Sequence, residues 1–112
     1  MKLTQLSAYA LTIGIEALIA ARLGPRFQAK RSRAAMAAAG GSLLTHPIVW
    51  WGAYQLYPRL GVATIPLLEL FAILAEAVGY RLIAVKRWRG ALLLSGLANG
   101  VSWAIGAVLT SL

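Results

Sequence analysis

Residues 63–85 read ATIPLLELFAILAEAVGYRLIAV, an apolar run broken by two glutamates and a tyrosine. About 20 such residues in helical form cover a hydrocarbon core of about 30 Å. Glu69, Glu76 and Tyr80 stand at i, i+7 and i+11, which puts them on one stripe of a helix. An ionised side chain facing lipid costs about 2.5–3.5 kcal/mol even on the most lenient scale. The stripe is therefore expected to face other helices.

Working outward, three more runs of similar length flank this one, giving spans over about 3–23, 34–57, 63–85 and 90–112. Gly24-Pro25 ends the first, Pro58-Arg59 and Gly61 form the second turn, and Lys86 to Gly90 form the third. The runs lack two-residue alternation, so helices are favoured over barrel strands. The expected fold is all-α: a polytopic membrane protein of four antiparallel transmembrane helices with short loops, one domain over residues 1–112. Composition agrees. The chain is 60% hydrophobic and 12% charged, far from the roughly 25% charged residues of a soluble domain, which excludes a water-soluble fold and a disordered tail. It has no cysteine, so disulfides and thiol chemistry are absent.

The net charge of +8 would suggest a nucleic-acid partner in a soluble chain. Here the bases gather between the apolar runs: Arg22, Arg26, Lys30, Arg31 and Arg33 after the first, and Arg81, Lys86, Arg87 and Arg89 around the end of the third. The N-terminus and second loop hold only Lys2 and Arg59, while all three acids, Glu16, Glu69 and Glu76, lie inside spans. This is a topology signal, and it argues against nucleic acid. Loops one and three are expected on the cytoplasmic side of the inner membrane and both termini outside. Aromatic residues fit: Trp50, Trp51, Tyr54 and Tyr57 cluster at the outer end of span two, with Phe27 and Trp88 at the inner face. The first span is read as retained, because most of its positive charges follow the apolar stretch and Glu16 interrupts it.

At 1.5 Å per residue, each span contributes one polar residue to a common slab: Glu16, His46, Glu76 and Asn99. Glu69 falls about 7–8 Å further out. Ser95, Asn99, Ser102 and Gly106 form a stripe in span four, as Thr12 and Glu16 do in span one and Ser42 and His46 in span two. The expected binding or proton-relay set is Glu16, His46, Glu69, Glu76, Asn99, Tyr80, Ser95 and Ser102. Carboxyls taken out of water favour their neutral form, so such a cluster suits proton-coupled transport or relay. The alternative is a polar staple that only holds helices together, although interhelical hydrogen bonds contribute about 0.6 kcal/mol on average.

A divalent metal held by His46, Glu16 and Glu76 is another reading by ligand type, as is a haem or chlorophyll-type pigment ligated by His46. No ligand pair has i, i+3 or i, i+4 spacing. No nucleophile motif, phosphate loop or dinucleotide fingerprint is present, so nothing marks the chain as an enzyme. Pro47 should free the carbonyl of Leu43 in mid-span, and the small residues Gly96, Gly100 and Ala34 to Ser42 offer smooth faces for close packing. Arg81 is placed to reach towards Glu16 or to extend to the headgroups.

Size, four spans and Glu16 within Ile15-Glu16-Ala17-Leu18 resemble the small multidrug resistance transporters, proton-coupled antiporters that act as dimers. The resemblance implies a proton-binding role for Glu16. Glu69, Glu76 and Thr45-His46-Pro47 depart from that family's pattern, as does the one-sided distribution of bases, and the chain is not assigned to it. The functional expectation is an accessory subunit of a larger membrane complex with a proton-linked or ligand-binding polar core. An autonomous oligomeric proton-coupled transporter of small molecules or metal ions, and a purely structural assembly protein, are the alternatives. Expected partners are the lipid bilayer and either other membrane subunits or further copies of the chain.

Overall fold

The computed structural model describes residues 4–112. The expected start of the first span at Leu3, and Lys2 beside it, lie outside the described residues. The rest is all-helical, with no strand among the described residues. Three stretches are long and apolar enough to cross a membrane: Leu6–Phe27, Arg31–Ile83 and Trp88–Thr110. The middle stretch, 53 residues long, turns back on itself near Gly61. The α-helices are α1 (Gln5–Leu23), α2 (Arg31–Leu60), α3 (Thr64–Ile83) and α4 (Trp88–Thr110).

Local chemistry sets the ends. Thr4 caps α1, its hydroxyl accepting from the Ser7 N–H at 3.0 Å, one of the orphan donors of a helix start. After α1 the chain tightens into a 3₁₀ turn over Gly24–Phe27 with Pro25 in its first positions, and Gln28 leaves it in the left-handed region at φ 62°. Between α2 and α3, Gly61 has φ 60° and ψ −139°, a backbone conformation that only glycine adopts at little cost. Pro66 lies in the first turn of α3, where its missing N–H has no intrahelical partner to lose.

Two boundaries differ from expectation. The second helix starts at Arg31 and runs to Leu60, passing through Pro47 and Pro58. Pro58 removes one donor near the end, yet the Gly61 N–H returns to the Tyr57 carbonyl and closes the last turn. The third loop is shifted by two residues, because α3 ends at Ile83 and Trp88, Arg89 and Gly90 already form the first turn of α4.

The helices are arranged so that each packs against the next and α4 closes back on α1. Adjacent helices are antiparallel. On α2, Gly41 faces Glu76 and Gly52 faces Leu68; between α1 and α2, Glu16 meets Ser42 and Gly24 meets Ala34. At the end carrying the two basic loops the interior is closed by alanines, Ala20, Ala34, Ala37, Ala38 and Ala91, packed with Val85, Leu94 and the fully buried Tyr80. Phe27 and Val85 crowd Gly90, which ties the two basic loops together. Packing of this kind rests on close approach of backbones more than on bulky side chains. The expected small-residue face of α4 is not where that approach happens. A Cβ on Gly96 or Gly100 would meet nothing within 4 Å, and the interior face of α4 is carried by Ala91, Leu94, Ser95, Ala98, Asn99 and Ser102.

Candidate functional site

Towards the opposite end, where α1 starts and α4 finishes, the helices leave a half-open cavity of about 430 Å³. All four helices line it: Thr12 and Glu16 from α1, Ser42, Thr45 and His46 from α2, Glu69 and Glu76 from α3, and Asn99, Ser102 and Trp103 from α4. Every acidic residue of the chain lines this space, and no lysine or arginine among the described residues does.

At its floor Glu16 and Glu76 come together, each only 2% exposed. Both carboxyls line the cavity together with Asn99 and are close enough to interact electrostatically. Ser42 on α2 donates to Glu16 Oε2. One turn further, Thr45 donates to Glu76 Oε2 at 3.0 Å. The i, i+3 spacing of Ser42 and Thr45 presents both hydroxyls to the same side of α2. Glu76 Oε1 is buried and has no hydrogen-bond donor among the described residues, and no lysine or arginine among them lies within ion-pair distance of either carboxyl. An ionised carboxylate only accepts hydrogen bonds, so a close pair of carboxyls attracts only when a proton lies between them or a cation bridges them. The arrangement can therefore hold a proton or accept an N–H donor.

The other expected residues divide into three groups. Glu69 is half-buried, lines the cavity nearer its mouth, and makes no hydrogen bond among the described residues. Ser95 fastens α4 to α3, its Oγ donating to the Ile73 carbonyl at 2.7 Å, whereas Asn99 Nδ2 donates within α4 to the Ser95 carbonyl at 2.9 Å. Ser102 is buried and lines the cavity. Tyr80 is fully buried on the closed side, and its hydroxyl has no hydrogen-bond partner among the described residues.

His46 reaches the cavity wall but does not join the carboxyls. Its ring stacks on Tyr9 at 4.8 Å between centroids, and its Nε2 accepts from Trp50 Nε1 at 2.5 Å. With Nε2 accepting, the neutral ring carries its proton on Nδ1, which leaves no free lone pair for a metal. Among the described residues no three His or acidic side chains are grouped to hold a metal ion. The set His46, Glu16 and Glu76 thus does not fit a divalent metal, and His46 as placed does not fit a haem or pigment ligand. Arg81 likewise does not extend to Glu16; its guanidinium lies over the Trp88 ring, 5.7 Å from the centroid, a cation–π arrangement.

Sequence reasoning left Tyr9 and Trp50 out of the site and gave Thr45 no role towards the acids, while serines entered only as hydrogen-bond partners in the polar-staple reading. Pro47 explains Tyr9. The carbonyl of Leu43, which loses its helical donor to Pro47, accepts a hydrogen bond from the Tyr9 hydroxyl at 2.6 Å. The freed carbonyl was readable; the tyrosine one helix away was not. A search of family models, curated proteins and solved structures finds no match to this chain.

Proposed function

We propose that the chain is a four-pass inner-membrane protein whose work runs through a proton shared by Glu16 and Glu76 at the floor of the half-open cavity. The long dimension of 41 Å suits a bilayer of about 40–45 Å including headgroups. Hairpin packing of α2 on α3 supports two crossings within the 53-residue helical stretch. The basic loops then face the cytoplasm, and the cavity opens outward together with both termini.

One observation carries the proton reading: two neighbouring carboxyls from different helices are buried at the cavity floor, with a donorless oxygen on Glu76 and no base within ion-pair distance among the described residues. Two ionised groups so placed repel each other and pay the desolvation cost of both charges. A bound proton removes most of that cost and supplies the missing donor. The polar-staple alternative explains Ser95 well, but it leaves Glu76 Oε1 without a partner.

On this reading the protein acts as a proton-linked binding subunit of a larger membrane assembly. Autonomous transport is the second reading, favoured by a cavity that opens at one end and ends on the carboxyl pair. Infrared spectroscopy of the protein in lipid nanodiscs tests the proton directly. At neutral pH the wild type should show the carbonyl stretch of a protonated carboxyl, and Glu16→Gln and Glu76→Gln should each alter or remove it. A wild-type spectrum with only carboxylate bands ends the proposal. The same preparation, made in mild detergent, yields defined partner proteins if the chain is a subunit and a homo-oligomer if it transports alone.

A further inference from the structure

Nine of the eleven bases sit in two short segments, five from Arg22 to Arg33 and four from Arg81 to Arg89, and neither segment contains an acid. Eight of the nine are exposed. The fold presses the two segments together: Phe27 packs on Gly90, and Arg33 Nη1 donates to the Ile83 carbonyl at 3.5 Å. Like charges brought this close repel, and the three acids that could offset them line the cavity instead. The helix ends sharpen the imbalance. Both helices that start here, α2 and α4, have a base in the capping position, Lys30 and Arg87, with no side-chain cap and no acid in the first turn. A helix start carries partial positive charge and unpaired N–H donors, which acidic groups ordinarily offset. Here the chain supplies none.

Depth selects the occupant. Arg22 and Arg81 lie in the last turns of α1 and α3, while Arg33 and Arg89 lie in the first turns of α2 and α4. Only residues 84–87 separate α3 from α4, so the bases stay close to the helix ends. In a bundle seated as proposed, that level is the headgroup layer, where the anions are lipid phosphates. Arginine meets phosphate with two parallel N–H donors. We infer that the two basic segments form one site for a lipid headgroup carrying two phosphates, as in cardiolipin, with one phosphate at each segment. Linking the phosphates makes the second contact intramolecular, so one such lipid outcompetes two separate monophosphate lipids. The bound headgroup bridges the α1–α2 and α3–α4 hairpins and offsets their repulsion. The inference rests on the four-crossing arrangement, not on the shared proton.

Native mass spectrometry of the delipidated full chain in mild detergent reads the binding. Cardiolipin should bind at least about tenfold more tightly than phosphatidylglycerol at equal phosphate, and should raise the thermal unfolding midpoint further. Arg26→Gln with Lys30→Gln, or Lys86→Gln with Arg87→Gln, should each reduce cardiolipin to the affinity of phosphatidylglycerol. Arg59→Gln, at the opposite end, should change nothing. All five side chains are exposed, and the wild-type comparison decides even where a variant fails to fold. Equal affinity for the two lipids, or an equal loss in Arg59→Gln, overturns the inference. Displacement of cardiolipin by inorganic pyrophosphate at equal concentration would assign the site to a free anion, and displacement by oligoglutamate to an acidic protein segment; either result overturns the lipid. Binding in detergent is independent of orientation, and side-specific labelling of Ser32→Cys reads the topology separately, so the two ideas fail separately.

Discussion

A single methyl group tests how tightly the carboxyl pair is held. A Cβ at Gly41 would come within 3.0 Å of Glu76 Cγ, whereas one at Gly40 would meet nothing within 4 Å. Gly41→Ala must therefore push the Glu76 stem aside, and Gly40→Ala need not. Overpacking of this sort costs about 1–3 kcal/mol, while an alanine in open helix gains a few tenths to about 1 kcal/mol in propensity. Thermal unfolding in detergent should show Gly41→Ala destabilised and Gly40→Ala neutral or stabilised, with the infrared carboxyl signal shifted only in the former. An unchanged signal in Gly41→Ala would mean that Glu76 has freedom the structure does not show. The acids themselves were legible in the sequence, because an acid in an apolar run has few places to go. Their hydroxyl partners were less so: Ser42 and Thr45 look like ordinary small polar residues of a packed helix until α1 and α3 are laid against them.

Among the elements, α2 holds the most distinctive feature. Pro47 lies deep in a 30-residue helix and withdraws the donor that Leu43 would otherwise use. Tyr9, from α1, fills that place at 2.6 Å and also stacks on His46. The hydrogen bond should contribute about 0.6 kcal/mol, up to about 1.7, by comparison with other membrane helices. Tyr9→Phe is expected to lose that amount. In Pro47→Ala the backbone N–H returns, so the same Tyr9→Phe change should cost much less, giving a coupling of similar size in a double-mutant cycle. Additive effects would show that Tyr9 acts only through its ring. Helix type and approximate limits were readable from apolar run length. The limits failed where proline was read as a stop, since Pro58 is accommodated within the last turn of α2. His46 was assigned to the acids by depth and by its stripe with Ser42; neither fixes where a ring turns, and its neighbours Tyr9 and Trp50 hold it along the wall.

For the whole molecule, the absence of native cysteine makes topology directly measurable. Single cysteines at Ser32 and Ser111, both exposed, should label from opposite sides with a membrane-impermeant maleimide: Ser111→Cys in intact cells, Ser32→Cys only after the membrane is opened. Labelling of both from one side would refute the proposed four crossings. The overall layout was visible in the separation of bases from acids. The one-ended cavity was not, because it depends on which side chains of the four helices meet across the interior, with Tyr80, Leu94 and the alanines filling one half.

The floor of that cavity lies near mid-length, beside Glu16 and Glu76, with the alanine-rich seal beneath it. For a bundle seated as proposed, a charge that reaches the floor has traversed roughly half of any transmembrane voltage, about 1 kcal/mol for each 100 mV. Occupancy would then shift about fivefold over that interval, and an inside-negative cell would draw protons inward to the carboxyls even with that seal shut. The protein would thus sense the energised state of its membrane without moving a helix.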